Sequence, residues 1–286
     1  MSLEIRLPEL PEVETVKNGL LPHVEHAVIQ DVIVRQHQLR WPVPLSLHST
    51  LQQKQVISLS RRGKYLLMQF DTGTLIIHLG MSGSLRMVNK TTPVVAHDHV
   101  DIIFTNENIL RYNDPRRFGA LLWTDEPPLQ HVLLKSLGPE PMESTFSATY
   151  LSHRAKNRTI PVKSFIMDSK IVVGIGNIYA AEALFTAKIH PLTPAGSLTF
   201  SQLQKLVHAI KQVLQAAIAE GGTTIRNFIN SEGKPGYFVQ QLAVYGRAGR
   251  PCIDCGAVLH ELKLAQRSTV FCKTCQQTLS NSNKNS

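Results

Sequence analysis

The sequence predicts an α+β multidomain protein: an N-terminal β-sandwich with flanking helices, then a helical domain followed by a β-hairpin zinc ribbon. Three observations carry this. From about residue 27 to 123 the apolar residues come in many short runs divided by turn residues, with no helices alternating between them. Beyond about residue 147 the apolar spacing becomes helical. All four cysteines of the 286 residues stand near the far end, as two C-x2-C pairs with sixteen residues between them.

Each element has its own local reason. PELPEVET (8–15) sets acids among prolines and leads into Val13, Val16, Leu20, Leu21 and Val24 at helical spacing, with Gly19 and Pro22 near the expected end. Pro11, Glu12 and Glu14 are residue types that start a helix and complement its dipole. The runs AVIQDVIV, QVISLS, KYLLMQF, TLIIHLG, VDIIF and LLW read as strands, divided by turns such as DTG (71–73) and TNEN (105–108). EPPLQ and GPEPMEST mark a linker over 125–146. TFSATYLSHRAK then has helix-start chemistry, IPVKSFIMD follows, and NIYAAEALFTAKI is amphipathic. LTFSQLQKLVHAIKQVLQAAIAEG is a long helix with Thr199 or Ser201 as N-cap and Gly221 as terminator. These readings give a sandwich at 8–124, a helical domain at 147–245 and a four-Cys segment at 246–279. Residues 1–7 and 280–286 read as disordered extensions.

Composition narrows the class. A hydrophobic fraction of 43% with 18% charged residues is that of a globular chain. There is no apolar run long enough to span a bilayer and no secretory h-region at the start, so the expected location is cytoplasmic, with no membrane partner. Thirty Lys+Arg against 21 Asp+Glu leave a net charge of +9, which points to a polyanion, nucleic acid before membrane. Cys252, Cys255, Cys272 and Cys275 supply four thiolates at zinc-ribbon spacing, against two disulfides as the alternative. The expected cofactor is one structural Zn(2+), closed to substrate, whose binding supplies roughly 10–16 kcal/mol of coupled folding energy.

PELPEVET (8–15), HLGMSGSLR (78–86), DPRRFGA (114–120), MDSKIVVGIGNIYAAEALF (167–185), GKPGYF (233–238) and the cysteine segment with AQRSTVFC (265–272) together resemble the bacterial formamidopyrimidine-DNA glycosylases, in family order and over nearly the whole chain. The resemblance implies a bifunctional glycosylase and abasic-site lyase of DNA repair. An N-terminal proline is a secondary amine of lower pKa than lysine, suited to attack C1′ of the damaged nucleotide. By resemblance Pro8 is that nucleophile and Glu9 its acid/base partner, with Lys64 and Arg267 completing the catalytic set on phosphate and damaged nucleotide. DNA contacts fall to His97, Arg116, Asn177, Arg158, Met81 and Phe118, of which Met81, Arg116 and Phe118 fill the gap left by the extruded base. Asn177 begins a helix, where backbone amides receive a phosphate or the side chain acts as a plain cap. Gly233, Lys234, Pro235, Gly236 and Tyr237 lie in a breaker-rich segment that resembles the family's lesion loop. The triplet HDH (97–99) has the residue types of a second metal site but reads as structural.

The implied partner is double-stranded DNA carrying oxidised purines or abasic sites. The family implies a nucleoid-associated monomer with no obligate protein partner. Two alternatives stay open: an endonuclease VIII-type enzyme for oxidised pyrimidines, and a DNA-binding protein whose nucleophile is blocked. The second arises because Pro8 follows Leu7, which makes its nitrogen a tertiary amide with no usable lone pair. Leu7 stands where the family has its initiator methionine, so the active terminus is expected at Pro8, through a different start codon or proteolysis.

Overall fold

The computed structural model describes residues 8–222 and 242–277, which fall into two compact units: 8–136 with 217–222, and 137–216 with 242–277. The expectations for 1–7, for the loop at Gly233–Tyr237 and for 280–286 lie outside the described residues. No helix among the described residues is long and apolar enough to cross a membrane.

The first unit starts with helix α1 (Leu10–Val24), whose N-cap Glu9 and third residue Glu12 form a reciprocal capping box. Val13, Val16, Leu20 and Val24 bury one face of it in the sandwich core. The strands are β1 (Ile29–Val34), β2 (Ser58–Arg62), β3 (Tyr65–Gln69), β4 (Thr74–His78), β5 (Ser84–Val88), β6 (Asp98–Phe104), β7 (Ile109–Asn113) and β8 (Ala120–Thr124), with a short helix α2 (Leu47–Leu51) after β1. They make two antiparallel four-stranded sheets, ordered β1-β6-β7-β5 and β2-β3-β4-β8. Leu66, Met68, Leu75 and Ile77 of the second sheet share the core with Val100, Ile102, Leu110 and Tyr112 of the first.

Strands β5 and β7 are absent from the sequence reading, and the reason is physical. Each carries an arginine in place of an apolar residue, and those arginines are paired. The Arg111 guanidinium takes both oxygens of Asp101, at 2.8 and 2.9 Å, and lies 3.6 Å from Asp98. Arg86 reaches Asp98 at 3.2 Å, and Arg35 reaches Asp101 at 2.7 Å. The buried, doubly paired Arg111 and the half-buried Arg86 take the place of a period-2 apolar pattern.

In the segment expected as a linker, Leu134 and Phe146 are buried, and the Gly138 amide donates to the Ser169 carbonyl at 2.8 Å. The second unit contains α3 (Ala148–Ala155), capped by the Ser147 hydroxyl; α4 (Val162–Met167); α5 (Asn177–Thr186); and, up to Ala216, α6 (Phe200–Ala219). Of the two candidate caps for α6, Thr199 does the work: its hydroxyl accepts from the Gln202 amide at 3.2 Å, and the Gln202 side chain accepts from the Thr199 amide at 2.9 Å. The helix ends before Gly221, at φ +73°. Strands β9 (His260–Leu264) and β10 (Arg267–Phe271) form the terminal hairpin.

Candidate functional site

In the first unit, Pro8 and Glu9 are buried where the chain enters α1, and the Glu9 amide donates to Glu12 Oε2 at 2.8 Å. Glu12 is fully buried and fixed by that bond, so the acid next to Pro8 is held by the helix start itself. Lys64 lies in the two-residue turn joining β2 and β3 rather than inside the strand expected for it, after Gly63 at φ +57°. The neighbouring His78, whose ring is 4.7 Å from that of Tyr65, accepts the Gly80 amide on Nδ1 at 3.0 Å. Burial, then the Lys64 and Arg40 charges, push His78 down to about 4, which keeps it neutral at neutral pH and leaves its proton on Nε2.

Gly80 opens the turn that carries half-buried Met81, closed by a bond from the Gly83 amide to the Leu79 carbonyl at 2.8 Å. Beside it runs the loop 114–119. The Arg116 guanidinium lies 4.7 Å above the ring of Phe118, whose side chain is 41% exposed. Arg116 Nη1 is shielded from water and has no hydrogen-bond partner. An unmade bond on a shielded guanidinium costs about 1–3 kcal/mol, which an incoming acceptor such as a base edge removes. His97 is exposed at φ +72°, and its carbonyl accepts from the Asp114 amide at 3.1 Å. In the triplet HDH, Asp98 pairs with arginines and His99 Nε2 meets the Asp114 carbonyl at 2.8 Å. These are structural contacts, and among the described residues only the four cysteines form a group able to hold a metal.

In the second unit, Asn177 is the first residue of α5, with Gly176 as the cap. Its side chain does not cap. Its Oδ1 accepts from Lys163 Nζ at 2.7 Å, and its Nδ2 donates to the Ser268 carbonyl of β10 at 3.0 Å. Lys163 is buried and also donates to Thr269 Oγ1 at 2.8 Å and to the Ser268 carbonyl at 3.1 Å. Arg267 is exposed as the first residue of β10, directly after the turn Ala265–Gln266 with φ +47° and +61°. Arg158 is exposed just after α3, its carbonyl accepting from the Gly196 amide at 2.8 Å.

The sequence reading gave no role to Lys163, Glu182 or Asp114. Glu182 is buried in α5 and accepts the amides of Ala243, Val244 and Tyr245 at 2.8, 3.0 and 2.8 Å. Burial pushes its carboxyl up, against the pull of those three N–H groups. The available signal was a single charged residue inside an apolar run, as in IPVKSFI and YAAEALF.

The cysteine sulfurs lie within 4.8 Å of one another, with Cys255–Cys272 at 3.5 Å and Cys252–Cys275 at 3.9 Å. Four thiolates about 2.3 Å from a tetrahedral zinc stand about 3.8 Å apart, so the donor set fits this ion. Gln276 ties the site down: its Oε1 accepts from the Cys272 amide and its Nε2 donates to the Ile189 carbonyl, both at 2.9 Å.

Comparison with known proteins agrees along the chain. The family model for the formamidopyrimidine-DNA glycosylase N-terminal domain matches residues 7–121, that for the H2TH domain of the same enzymes matches 137–229, and that for the zinc finger found in FPG and IleRS matches 249–278. The match and the donor set together identify one structural zinc site. Formamidopyrimidine-DNA glycosylases of Methylococcus capsulatus and Cellvibrio japonicus are 53% and 54% identical to this chain, covering 95% of it and all of each relative. Among solved structures, Lactococcus lactis Fpg in complex with an abasic site containing DNA is similar with a TM-score of 0.87 at 36% identity, over 94% of this chain and 100% of that one. The MutM (FPG) protein from Thermus thermophilus is similar with a TM-score of 0.84 at 34% identity, over 95% and 99%. The chain belongs to the formamidopyrimidine-DNA glycosylase family.

Proposed function

We propose that this chain excises oxidised purines, 8-oxoguanine and formamidopyrimidines, from duplex DNA and then cleaves the strand at the abasic site it has made. The observation that carries the reading is the family match over the whole working length, joined to the buried Pro8–Glu9 start of α1. A Lactococcus lactis relative has been solved with an N7-benzyl-Fapy-dG containing DNA, at 36% identity and a TM-score of 0.87. That lesion class favours the purine branch over the endonuclease VIII-type alternative.

In this reading the Pro8 nitrogen, as a free secondary amine, forms a bond to C1′ while the base leaves with the glycosidic electron pair. Glu9 takes the proton that the Pro8 nitrogen gives up and passes it to the ring oxygen O4′, the C1′–O4′ bond breaks, the sugar opens, and a C1′ iminium remains. Loss of a C2′ proton expels the 3′ phosphate, loss of a C4′ proton expels the 5′ phosphate, and water releases the proline. Lys64 and Arg267 hold phosphates of the damaged strand; Asn177, Arg158 and His97 hold the backbone; Met81, Arg116 and Phe118 occupy the gap. Gly233–Tyr237 covers the extruded base. The division into a catalytic sandwich at 8–124, a linker at 125–146, a DNA-binding helical domain at 147–245 and a ribbon at 246–279 belongs to the same proposal, as does a monomer acting in the nucleoid without an obligate partner. Zinc orders the ribbon and takes no part in the bond changes.

Borohydride reduction during turnover on an 8-oxoguanine·cytosine duplex tests this. The expected product is a covalent protein–DNA adduct whose proteolytic map ends at Pro8. No adduct from protein with a verified Pro8 terminus, or an adduct from protein that still carries residue 7, sinks the mechanism.

A further inference from the structure

Asp114 is fully buried, and its carboxylate receives four donors, three from the Met81 turn and its own loop and one from β7. Oδ1 takes the Ser82 hydroxyl at 2.6 Å and the Arg116 amide at 3.3 Å. Oδ2 takes the Tyr112 hydroxyl at 3.0 Å and the Gly119 amide at 2.9 Å. A carboxylate has about four lone-pair sites, so each is occupied. Ser82 follows Met81 directly, and Arg116 and Gly119 bracket Phe118. The Arg116 amide also reaches the Ser82 oxygen at 3.2 Å, which gives a second bond between the loops.

Two glycines, Gly80 and Gly119, let the segments meet backbone to backbone, and Gly83 makes room for the turn's own Leu79 carbonyl and for Tyr112. A Cβ on Gly80 would stand 2.4 Å from the Phe118 carbonyl carbon, and one on Gly119 would stand 2.5 Å from the His78 carbonyl oxygen and 1.8 Å from the Tyr112 hydroxyl. A Cβ on Gly83 would come within 2.9 Å of the same hydroxyl. Nothing flexible separates Met81 from Arg116 and Phe118 at their bases.

We propose that Asp114 is a positioning residue that locks the Met81 turn and the Arg116–Phe118 loop into one rigid wedge, so that the three side chains enter the duplex together. The inference rests on the gap-filling reading of those side chains. It goes beyond that reading in naming the group that couples them. Asp114 is fully buried and acts through Ser82, Arg116 and Gly119.

An isosteric change separates this from a role in folding alone. In Asp114→Asn the hydroxyls of Ser82 and Tyr112 can turn to accept, but the amides of Arg116 and Gly119 cannot. Whichever way the new carboxamide faces, its N–H meets the backbone N–H of Arg116 or of Gly119, so the 114–119 loop loses one of the two amide bonds that shape it around the carboxylate. Stopped-flow fluorescence of a 2-aminopurine beside 8-oxoguanine reads unstacking of the duplex directly. The unstacking phase and single-turnover excision from duplex are expected to slow about 10- to 100-fold, the size of one lost charge-assisted bond. Borohydride trapping on a preformed abasic site in single-stranded DNA, which needs no extrusion, is expected to stay within about twofold of wild type. Ser82→Ala, which removes both the hydroxyl bond to the carboxylate and the bond accepted from the Arg116 amide, unlinks the two loops while leaving the carboxylate in place; it gives the same split and keeps the test open should Asp114→Asn not fold. Unstacking as fast as wild type in either folded variant overturns the brace, and so does an equal fall in both reactions. A wild-type protein that neither unstacks nor excises overturns the function reading as well, so the two failures are distinguishable.

Discussion

Replacing Lys163 by methionine asks how far a buried ammonium organises the second unit. Lysine and methionine are both unbranched, so the packing changes little while the charge and its donors go. Lys163 Nζ serves Asn177 Oδ1, Thr269 Oγ1 and the Ser268 carbonyl at 2.7, 2.8 and 3.1 Å. The Ser268 carbonyl keeps the Asn177 side-chain amide at 3.0 Å, so two acceptors lose their ammonium donor. At about 1–3 kcal/mol each this is roughly 2–6 kcal/mol, and part is returned because an ammonium no longer has to be desolvated. A net loss of about 1–3 kcal/mol lowers the melting temperature by about 3–10 °C in a unit of this size. Calorimetry of the zinc-loaded protein reads this, and the exposed pair Lys188–Asp254 supplies a control, since Lys188→Met should leave the transition nearly in place. Because Asn177 and β10 share the ammonium, affinity for an abasic-analogue duplex should also weaken about tenfold, or roughly 1.4 kcal/mol. A Lys163→Met protein that melts and binds DNA as wild type does would refute the organising role.

Chelation of zinc, or Cys272→Ser, should release one metal per chain to a chromophoric indicator and abolish duplex binding; full affinity in metal-free protein would count against a structural zinc. Gly119→Ala places a Cβ 1.8 Å from the Tyr112 hydroxyl and should cost about 2–4 kcal/mol, while adding Tyr112→Phe restores part of it. Strict additivity in that double-mutant cycle would show that the clash is not the cause. His78 has a folded pKa of about 4 against its usual 6.5, so the unfolded chain takes up the proton first as pH falls. Its contribution is complete above about 6.5 and is lost towards 4, at most about 3 kcal/mol, and His78→Phe should flatten the melting profile in that window.

What could be read in advance depended on whether a residue's partner lay nearby in sequence. Cys252 and Cys255, or Thr199 and Gln202, act across two or three intervening positions at most, and their spacing alone carries the chemistry. The α1 pattern and six of the sandwich strands bury apolar side chains at regular intervals and are visible for that reason. Arg86 and Arg111 concealed β5 and β7 because an arginine paired inside a sheet has the sequence appearance of a surface one until Asp98 and Asp101 are brought beside it. Lys163 meets Thr269 across 106 positions, and Glu182 meets Tyr245 across 63, distances at which no local rule operates. Asp114 stood inside a quoted motif, yet only the fold puts Ser82 within 2.6 Å of it. The reading of Pro8 and Glu9 as a catalytic pair rests on family resemblance; by local rules alone, PELPE is a well-capped helix start.

The turn that precedes Arg267 has one further consequence. Ala265 and Gln266 both adopt left-handed backbone angles, where an L side chain costs about 1–2 kcal/mol and where asparagine and glycine are the favoured pair. The hairpin tip is therefore locally frustrated: its own residues vote against the shape they hold. The β9–β10 ladder, which starts with Arg267 opposite Leu264 at the turn itself, supplies the missing preference, so the tip's geometry is inherited from its strands rather than written into the tip. Such a hairpin has a borrowed shape, and the arginine at its edge is aimed by the register of the two strands behind it.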